Sequence, residues 1–362
     1  MLAIKGGSQR HNKCAQSLLA AGANVNARES SGKTALHYAI EHENFPGYTN
    51  LIRDLLEAGA DPNNKDKSGD FPLLQILYGG YEPLEKHKRD ALACLLRPEF
   101  ATDVNVMPPG TLNMPLHLAV RRKDPWAVSM LLTRGADVNE PNGSGMTPLM
   151  LAANSWGFKM SSDQVEVLRF LLEAGVNVNE QNELGKRALH FAAKNLCEGA
   201  VKFLLSKGAD SSILDKEPIP HRAYFYATEP VSQVKKAPKA HAAILQMPFE
   251  SRGWGEIPSV DGECPVVTAV AESRIKDVRF FLDQNAQLNH CYNSLEKTPL
   301  LHVALRNRDS AMSRLLIDKG ACIDLQDQNG SDAFAVCASM KQPEFTTQMT
   351  DYMIEFGKGK MA

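Results

Sequence analysis

A short recurring motif constrains the fold of this chain more than any other feature of its sequence. It reads GKTALHYA from Gly32 to Ala39, and close variants end at Ala119, Ala152, Ala192 and Ala304. The copies that end at Ala119 and Ala152 are 33 residues apart. In such an array each unit contacts only its neighbours. The sequence therefore predicts stacked repeats rather than two or three globular domains.

Each well-formed unit reads as a turn, a short inner helix, a tight connection, an outer helix and a glycine. In the unit from Ser30 to Asn63, the Thr34 hydroxyl is predicted to cap the inner helix. The outer helix runs from Leu51 with leucines at helical spacing, and Gly59 supplies the left-handed conformation that ends it. Similar endings recur up to Asn26, Asn139, Asn179, Asp210, Asn289 and Asp324.

The motif, its spacing and these endings resemble those of the ankyrin-repeat family. The resemblance covers nearly the whole chain, most clearly over Asn26–Asp210 and Gly262–Asp324. It implies an all-α solenoid of stacked helix pairs with hairpin-like turns, and about ten complete or partial repeats. We expect repeats over 1–212, a degenerate repeat or insertion over 213–257, and repeats with a divergent C-terminal cap over 258–362.

Several segments depart from the repeated pattern. Insertions near 43–49, 79–90 and 157–164 lengthen the connection between inner and outer helices and are predicted to form surface loops. Residues 213–257 read as a degenerate repeat with a loop, or alternatively as a hinge or partner-binding loop. The first unit lacks its turn, which suggests either a truncated repeat or a stacking face that another segment covers.

Composition and charge argue against several classes of protein. The 40 Lys and Arg residues against 42 Asp and Glu give a formal charge of −2, which does not indicate a polyanion-binding protein. Seven cysteines without a CxxC pair predict a reducing, intracellular location, cytoplasmic or nuclear. No long apolar run or signal peptide occurs, so we expect no membrane association. The basic cluster Lys235, Lys236 and Lys239 reads as a solvated loop or as a nuclear-import signal.

No group of residues predicts catalysis, a cofactor or a metal. His11 with Cys14, and His290 with Cys291, lack the further ligands of a zinc site. Neither a phosphate-binding glycine loop nor a serine nucleophile elbow is present, and the carboxylates are dispersed. The resemblance implies that the motif histidines make structural hydrogen bonds within and between turns. They are His37, His117, His190 and His302.

The resemblance also implies that a partner lies along the concave face, against the turn tips and the variable end of each inner helix. By that match, the predicted partner-contacting residues are Lys33, Glu41, His42, Arg121, Arg122, Met146, Asn154, Lys186, Lys194, Asn195, Arg306 and Asn307. Ser30, Ser155 and Glu272 occupy equivalent places, and Trp156 is the best exposed aromatic anchor, whereas Trp126 is predicted to pack. Positive side chains predominate in this set, which either attracts an acidic partner or merely solvates an exposed face.

We therefore expect a non-catalytic, monomeric scaffold that binds a partner protein, with an acidic segment as the best fit. One alternative is a transcription coregulator that binds a transcription factor and not nucleic acid, since the chain has no basic region or zipper. Another is a substrate adaptor for protein degradation. An enzyme within 213–257 lacks any supporting motif and would be too short for an independent domain.

Overall fold

The computed structural model describes residues 9–41, 47–107, 113–155, 160–211, 215–216, 265–283, 288–289, 291–292 and 298–360. These residues form α-helices, with one 3₁₀ turn at Pro98–Phe100. A two-residue antiparallel pair joins β1, Cys291–Tyr292, to β2, Thr298–Pro299. The helices are α1 Gln9–Ala20, α2 Ala35–Glu41, α3 Tyr48–Glu57, α4 Pro72–Leu77, α5 Lys86–Leu95, α6 Pro115–Arg121, α7 Pro125–Thr133, α8 Pro148–Ser155, α9 Ser162–Glu173, α10 Ala188–Lys194, α11 Glu198–Ser206, α12 Pro265–Ala271, α13 Ile275–Asp283, α14 Leu300–Arg306, α15 Ser310–Asp318, α16 Ala333–Ala338 and α17 Pro343–Lys360.

The chain forms two compact units, Met1–Glu183 and Leu184–Ala362. In the first unit the inner helices α2, α4, α6 and α8 pack in sequence, and the outer helices α1, α3, α5, α7 and α9 form a second layer. Leucines and isoleucines such as Leu36, Ile52 and Leu74 fill the space between the layers and are fully buried. Burial of each apolar helix face against the next pair holds the unit together.

The second unit repeats this arrangement with other helices. Inner helices α12, α14 and α16 pack in sequence, and so do outer helices α13, α15 and α17. Their shared core includes Val270, Phe281, Leu316 and Met349. The all-α solenoid predicted from the motif is confirmed, whereas the number of repeats stays a prediction.

Capping of the inner helices differs from repeat to repeat. The Thr147 hydroxyl accepts the Met150 amide at 3.3 Å, which matches the predicted threonine cap. At the equivalent position of α2, the His37 ring takes part, because its Nδ1 accepts the Thr34 amide at 3.2 Å and lies 2.9 Å from the Thr34 hydroxyl. The imidazole therefore accepts the amide of Thr34 itself, which is a different contact from the predicted one between the Thr34 hydroxyl and an amide of the first turn.

The four motif histidines are buried, and three of them make hydrogen-bond contacts with turn residues, whereas neither ring nitrogen of His302 has a partner among the described residues. His37 Nε2 lies 3.3 Å from the Asp70 carbonyl, and His117 Nε2 lies 2.9 Å from the Met146 carbonyl. His190 Nδ1 accepts the Arg187 amide at 3.1 Å. These contacts agree with the structural role expected for the motif histidines.

Asparagines after the glycine stop link consecutive repeats. Gly59 has the predicted left-handed backbone, with φ of 87°. Asn26 donates from Nδ2 to the Gly59 carbonyl at 2.8 Å and accepts the Asp61 amide on Oδ1 at 2.8 Å. The same double link joins Asn63 to the Ala101 carbonyl and Asp103 amide, Asn105 to the Gly135 carbonyl and Asp137 amide, and Asn289 to the Gly320 carbonyl and Cys322 amide.

The predicted insertions are partly helical. Helix α3 begins at Tyr48, α5 at Lys86 and α9 at Ser162, each inside a segment expected to be a loop. For α9 the reason is a capping box, in which Ser161 and Gln164 exchange side-chain and backbone hydrogen bonds. Residues 42–46 and 156–159 lie outside the described residues, as does most of 213–257, so the predicted boundaries at 212 and 257 stay predictions.

Candidate protein-binding surface

Two positions that flank the inner helix are in side-chain contact in two consecutive repeats. One is the turn residue two positions before the helix, and the other is the last residue of the helix or the residue that follows it. In the repeat that contains α2 these are Lys33 and Glu41, which form an ion pair. In the next repeat they are Asp70 and Tyr78, and the Tyr78 hydroxyl donates to Asp70 at 3.2 Å. The two positions are therefore close enough for direct side-chain contact.

The Lys33 ammonium and the Glu41 carboxylate balance each other's charge in this ion pair. The hydrogen bond to Glu41 raises the pKa of Lys33, so its ammonium stays charged. The Lys33 Nζ also lies 5.8 Å from the centre of the Tyr38 ring. A partner at this point would meet a neutral pair rather than an isolated cation.

Arg122 is the clearest correction to the predicted surface. Its side chain is only 6% exposed, and its guanidinium donates to the carbonyls of Leu77 at 2.8 Å, Tyr78 at 2.5 Å and Glu82 at 2.9 Å. Two of these carbonyls end helix α4, where the helix dipole favours a cation. Arg122 therefore holds a segment of the chain and does not present its charge to a partner.

Asp124 holds the same segment from the other side. It is fully buried, caps α7 through the Ala127 amide at 3.1 Å, and accepts the Leu84 amide at 2.6 Å. Arg89 Nη2 lies 3.3 Å from its carboxylate, and the Arg89 guanidinium lies 5.7 Å from the centre of the Trp126 ring. Trp126 is half-buried at this contact, in agreement with its prediction as a packed residue.

The side chain of Arg121, unlike that of Arg122, lies against an aromatic ring. Its guanidinium is 5.6 Å from the centre of the Tyr81 ring, and its Nε is buried without a hydrogen-bond acceptor among the described residues. Tyr81 is 66% exposed. Sequence reasoning missed Tyr81, although an aromatic residue at the centre of the GGYEP insertion is a signal that could have identified it.

In the following repeats the surface positions vary in chemistry. Met146 is half-buried and Asn154 is exposed. Lys186 is half-buried and Lys194 is exposed at the end of α10. The Asn195 side-chain amide donates to the Phe191 carbonyl of the same helix at 2.9 Å.

The predicted residues of α14 are engaged with neighbouring parts of the second unit. Arg306 donates to the buried carboxylate of Asp327 at 2.6 Å. Asn307 donates to the Ala271 carbonyl of the preceding inner helix at 2.9 Å. Glu272 forms an ion pair with Arg274, with 2.9 Å between the carboxylate oxygen and Nε. Arg306 and Asn307 remain exposed, but their polar atoms already have partners within the chain.

The rest of the predicted set lies outside what the structure describes. His42 and Trp156 fall in undescribed segments, and so do Lys235 and Lys236 of the basic cluster. Of the positive side chains predicted for this surface, Lys33, Arg122 and Arg306 are held by acceptors of the chain itself. The predicted concentration of positive charge is therefore smaller than the sequence suggests, and centres on Arg121 and Lys194.

The titratable groups that could serve chemistry are scattered. No group of three or more His, Cys, Asp or Glu side chains able to hold a metal occurs among the residues the structure describes. Cys94, Cys197 and Cys337 are buried free thiols, and burial raises the pKa of Cys337 to about 11. Such a thiol is a poor nucleophile at neutral pH. Within the described helices, none is both long and apolar enough to span a bilayer.

Stacked helix pairs with buried motif histidines define a solenoid repeat protein, a class that typically binds other proteins without catalysis. A family model of ankyrin repeats in three copies matches residues 1–66 and 116–215. The chain belongs to the ankyrin-repeat family.

Relatives share the repeats but are longer proteins. Rabankyrin-5 from Mus musculus is 30% identical over 232 residues, 60% of this chain and 18% of that protein. E3 ubiquitin-protein ligase KEG from Arabidopsis thaliana is 27% identical over 244 residues, 57% of this chain and 14% of that protein. B-cell lymphoma 3 protein homolog from Mus musculus is 28% identical over 191 residues, 52% of this chain and 39% of that protein. The chain thus spans well under half the length of each of these relatives.

A solved ankyrin repeat domain from Acinetobacter baumannii AYE aligns with a TM-score of 0.49 and 24% identity, over 57% of this chain and 97% of that one.

Proposed function

We propose that this chain is a non-catalytic, monomeric module that binds a partner protein through its turn tips and inner-helix ends, and that the partner presents an acidic segment. Protein binding is the usual role of stacked repeats, whose non-repeating surface residues select the partner. The observation that carries the acidic preference is a pair of lysines, Lys186 and Lys194, in one repeat.

Lys186 and Lys194 occupy the same two positions of the repeat as Lys33 and Glu41, whose side chains are in contact. Lys33 and Glu41, at the same spacing of eight residues in another repeat, form an ion pair. In the repeat with α10 both positions are basic, and Lys194 is exposed at the helix end. A carboxylate from a partner would be attracted to the exposed Lys194 ammonium at this end of the helix.

A third lysine lies beside them. The Lys216 amide donates to the Leu184 carbonyl at 2.7 Å, which places its backbone against the turn that carries Lys186. Lys216 is exposed, and Leu184 is 49% exposed. Basic side chains next to an exposed leucine suit a segment that combines acidic and apolar residues.

The test starts from affinity purification with mass spectrometry, followed by direct binding of the purified partner. Replacing Lys186 and Lys194 together by Glu should weaken binding at least about tenfold, and wild-type binding should weaken as salt is added. The matched control is Lys202→Glu on outer helix α11, whose ammonium pairs with Glu198. Equal binding of all three proteins would contradict the proposal.

A second candidate is a substrate adaptor for protein degradation. It is favoured by the similarity to a relative named as an E3 ubiquitin-protein ligase. In that case depletion of this chain should lengthen the half-life of the captured partner, and the double lysine variant should fail to restore degradation. A partner whose half-life is unchanged would argue against this role.

The third candidate is a transcription coregulator, supported by similarity to the B-cell lymphoma 3 protein homolog. This role requires the chain in the nucleus. Imaging of the wild-type chain against a Lys235→Ala and Lys236→Ala variant tests it directly. Cytoplasmic localisation of both would count against the coregulator role without affecting the binding proposal.

A further inference from the structure

The insertion after α4 is a fixed part of the first unit. We call residues 78–85 the ledge. Arg122 donates to its Tyr78 and Glu82 carbonyls, and Asp124 accepts its Leu84 amide. These two side chains come from the following repeat, so the ledge is attached at both ends to a neighbouring helix pair. A loop that is hydrogen-bonded in this way loses little entropy when a partner binds.

The ledge presents Tyr81 to solvent. At 66% exposure, Tyr81 is the most exposed large apolar side chain in the part of the chain that the structure describes. The Arg121 guanidinium, 5.6 Å from the ring centre, covers one side of the ring. Tyrosine and arginine are among the residue types enriched at energetically dominant positions of protein interfaces.

Arg121 retains donors for an outside acceptor. Arg121 is half-buried and its guanidinium forms no ion pair with the described residues, whereas Lys33 is paired with Glu41 and Arg306 with Asp327. A partner carboxylate would form a charge-assisted hydrogen bond with the Arg121 cation. A guanidinium that lies against an aromatic ring is also suited to bidentate carboxylate binding.

We propose that the ledge and Arg121 form a docking site for an acidic segment of a partner protein. A partner carboxylate binds Arg121, and an apolar side chain next to it packs on the Tyr81 ring. This site rests on the proposed function, because it takes the same class of partner, and adds to it an anchoring position in the first unit.

Glu82 limits the affinity of this site. It follows Tyr81 in the ledge, and its side chain is exposed. Its negative charge therefore opposes an acidic ligand at close range. Removing that charge with Glu82→Gln should strengthen binding about twofold to threefold.

The test uses a random peptide library displayed on phage and selected on the full chain. Selected peptides should be rich in Asp and Glu next to apolar residues. Fluorescence polarisation with a labelled selected peptide then compares variants. Tyr81→Ala and Arg121→Ala should each weaken binding at least about tenfold, and Arg121→Lys by less, since it keeps charge but not the planar fork.

The matched control is Arg169→Ala. The Arg169 guanidinium also covers an aromatic ring, that of Phe170 at 4.5 Å, but it lies on outer helix α9 and is paired with Glu166 and Glu173. Its replacement should leave peptide affinity unchanged. Circular dichroism establishes that each variant is folded, which is expected because Tyr81 is exposed.

The outcomes separate the two proposals. Peptides that lose affinity with Lys186→Glu and Lys194→Glu, but not with Tyr81→Ala or Arg121→Ala, overturn the ledge site and leave the proposed function standing. Selection of no acidic peptide overturns both. Self-association that sedimentation detects in the wild type but not in Tyr81→Ala would mean that a second copy occupies the ledge, which also overturns the assignment.

Discussion

Two adjacent arginines show how far residue type alone determines role. Arg121 and Arg122 both follow a motif alanine, and the sequence gives no reason to separate them. In the structure Arg122 is buried against the carbonyls that end α4, while Arg121 lies against Tyr81. The difference arises because Arg122 meets an insertion from the preceding repeat, which offers acceptors at that position only.

This difference predicts unequal effects on stability. Arg122→Met should lower the free energy of unfolding by about 3 kcal/mol, because it leaves buried carbonyls without donors. Arg121→Met should change it by less than about 1 kcal/mol. Urea denaturation of both variants measures the contrast. Comparable losses for the two would show that Arg122 does not hold the ledge.

The motif copy KTPLLHVA, which ends at Ala304, has one more residue between its threonine and its histidine than GKTALHYA has, and this inserted residue changes the role of His302. In the motifs of His37 and His190, the residue three positions before the histidine donates its amide to the ring. At His302 that residue is Pro299, which has no amide hydrogen. The Leu325 carbonyl lies close enough to favour the protonated ring, but neither ring nitrogen satisfies hydrogen-bond geometry among the described residues.

His302 should therefore tolerate an apolar replacement better than His117 does. His117→Leu removes the contact to the Met146 carbonyl and should cost about 1 to 2 kcal/mol. His302→Leu should cost less than about 1 kcal/mol, since no hydrogen bond is lost and the site is fully buried. Thermal denaturation of the two variants compares them. A larger loss for His302 would contradict this reading of the inserted residue.

At the scale of elements, the sequence predicts what depends on periodic side chains. Helix pairs and glycine stops such as Gly59 follow from residue spacing, and the structure confirms them. The attachment of the ledge was not predictable, because Arg122 binds backbone carbonyls, and carbonyls carry no signal in a sequence. The starts of α3 and α5 were missed for a similar reason, since their position depends on packing against neighbouring repeats.

The asparagine links make a prediction about coupling between helix pairs. Asn105→Ala removes both the donor to Gly135 and the acceptor for Asp137, and should lower stability by about 1 to 2 kcal/mol. Because these bonds cross between repeats, the urea transition should also broaden. The control is Thr133→Ala, whose hydroxyl bonds only to Ser129 within its own helix at 2.8 Å. A broadening equal to that of the control would exclude a coupling role for Asn105.

At the scale of the whole molecule, buried imidazoles recur in both compact units. Burial lowers the pKa of His37 and His302, and lowers that of His117 to about 4. The repeat motif thus places neutral histidines inside the fold at several points. The same feature that builds the array makes the folded state resist protonation.

Stability should therefore fall as the solution becomes acidic. Between pH 6.5 and about 4 the unfolded chain binds protons on histidines that the folded chain keeps neutral, so acid favours unfolding in this window. His117 alone accounts for about 3 kcal/mol of this loss once the pH is below its folded pKa. Urea denaturation at half-unit steps from pH 8 to pH 4 measures the dependence. The His117→Gln variant has no titrating ring at this position, so its free energy of unfolding should decline less steeply than that of the wild type below pH 6.5. Between pH 7 and 8 the free energies of the two proteins should change with pH to the same extent. Identical slopes for the two proteins across the acidic window would show that the buried imidazole does not couple folding to pH.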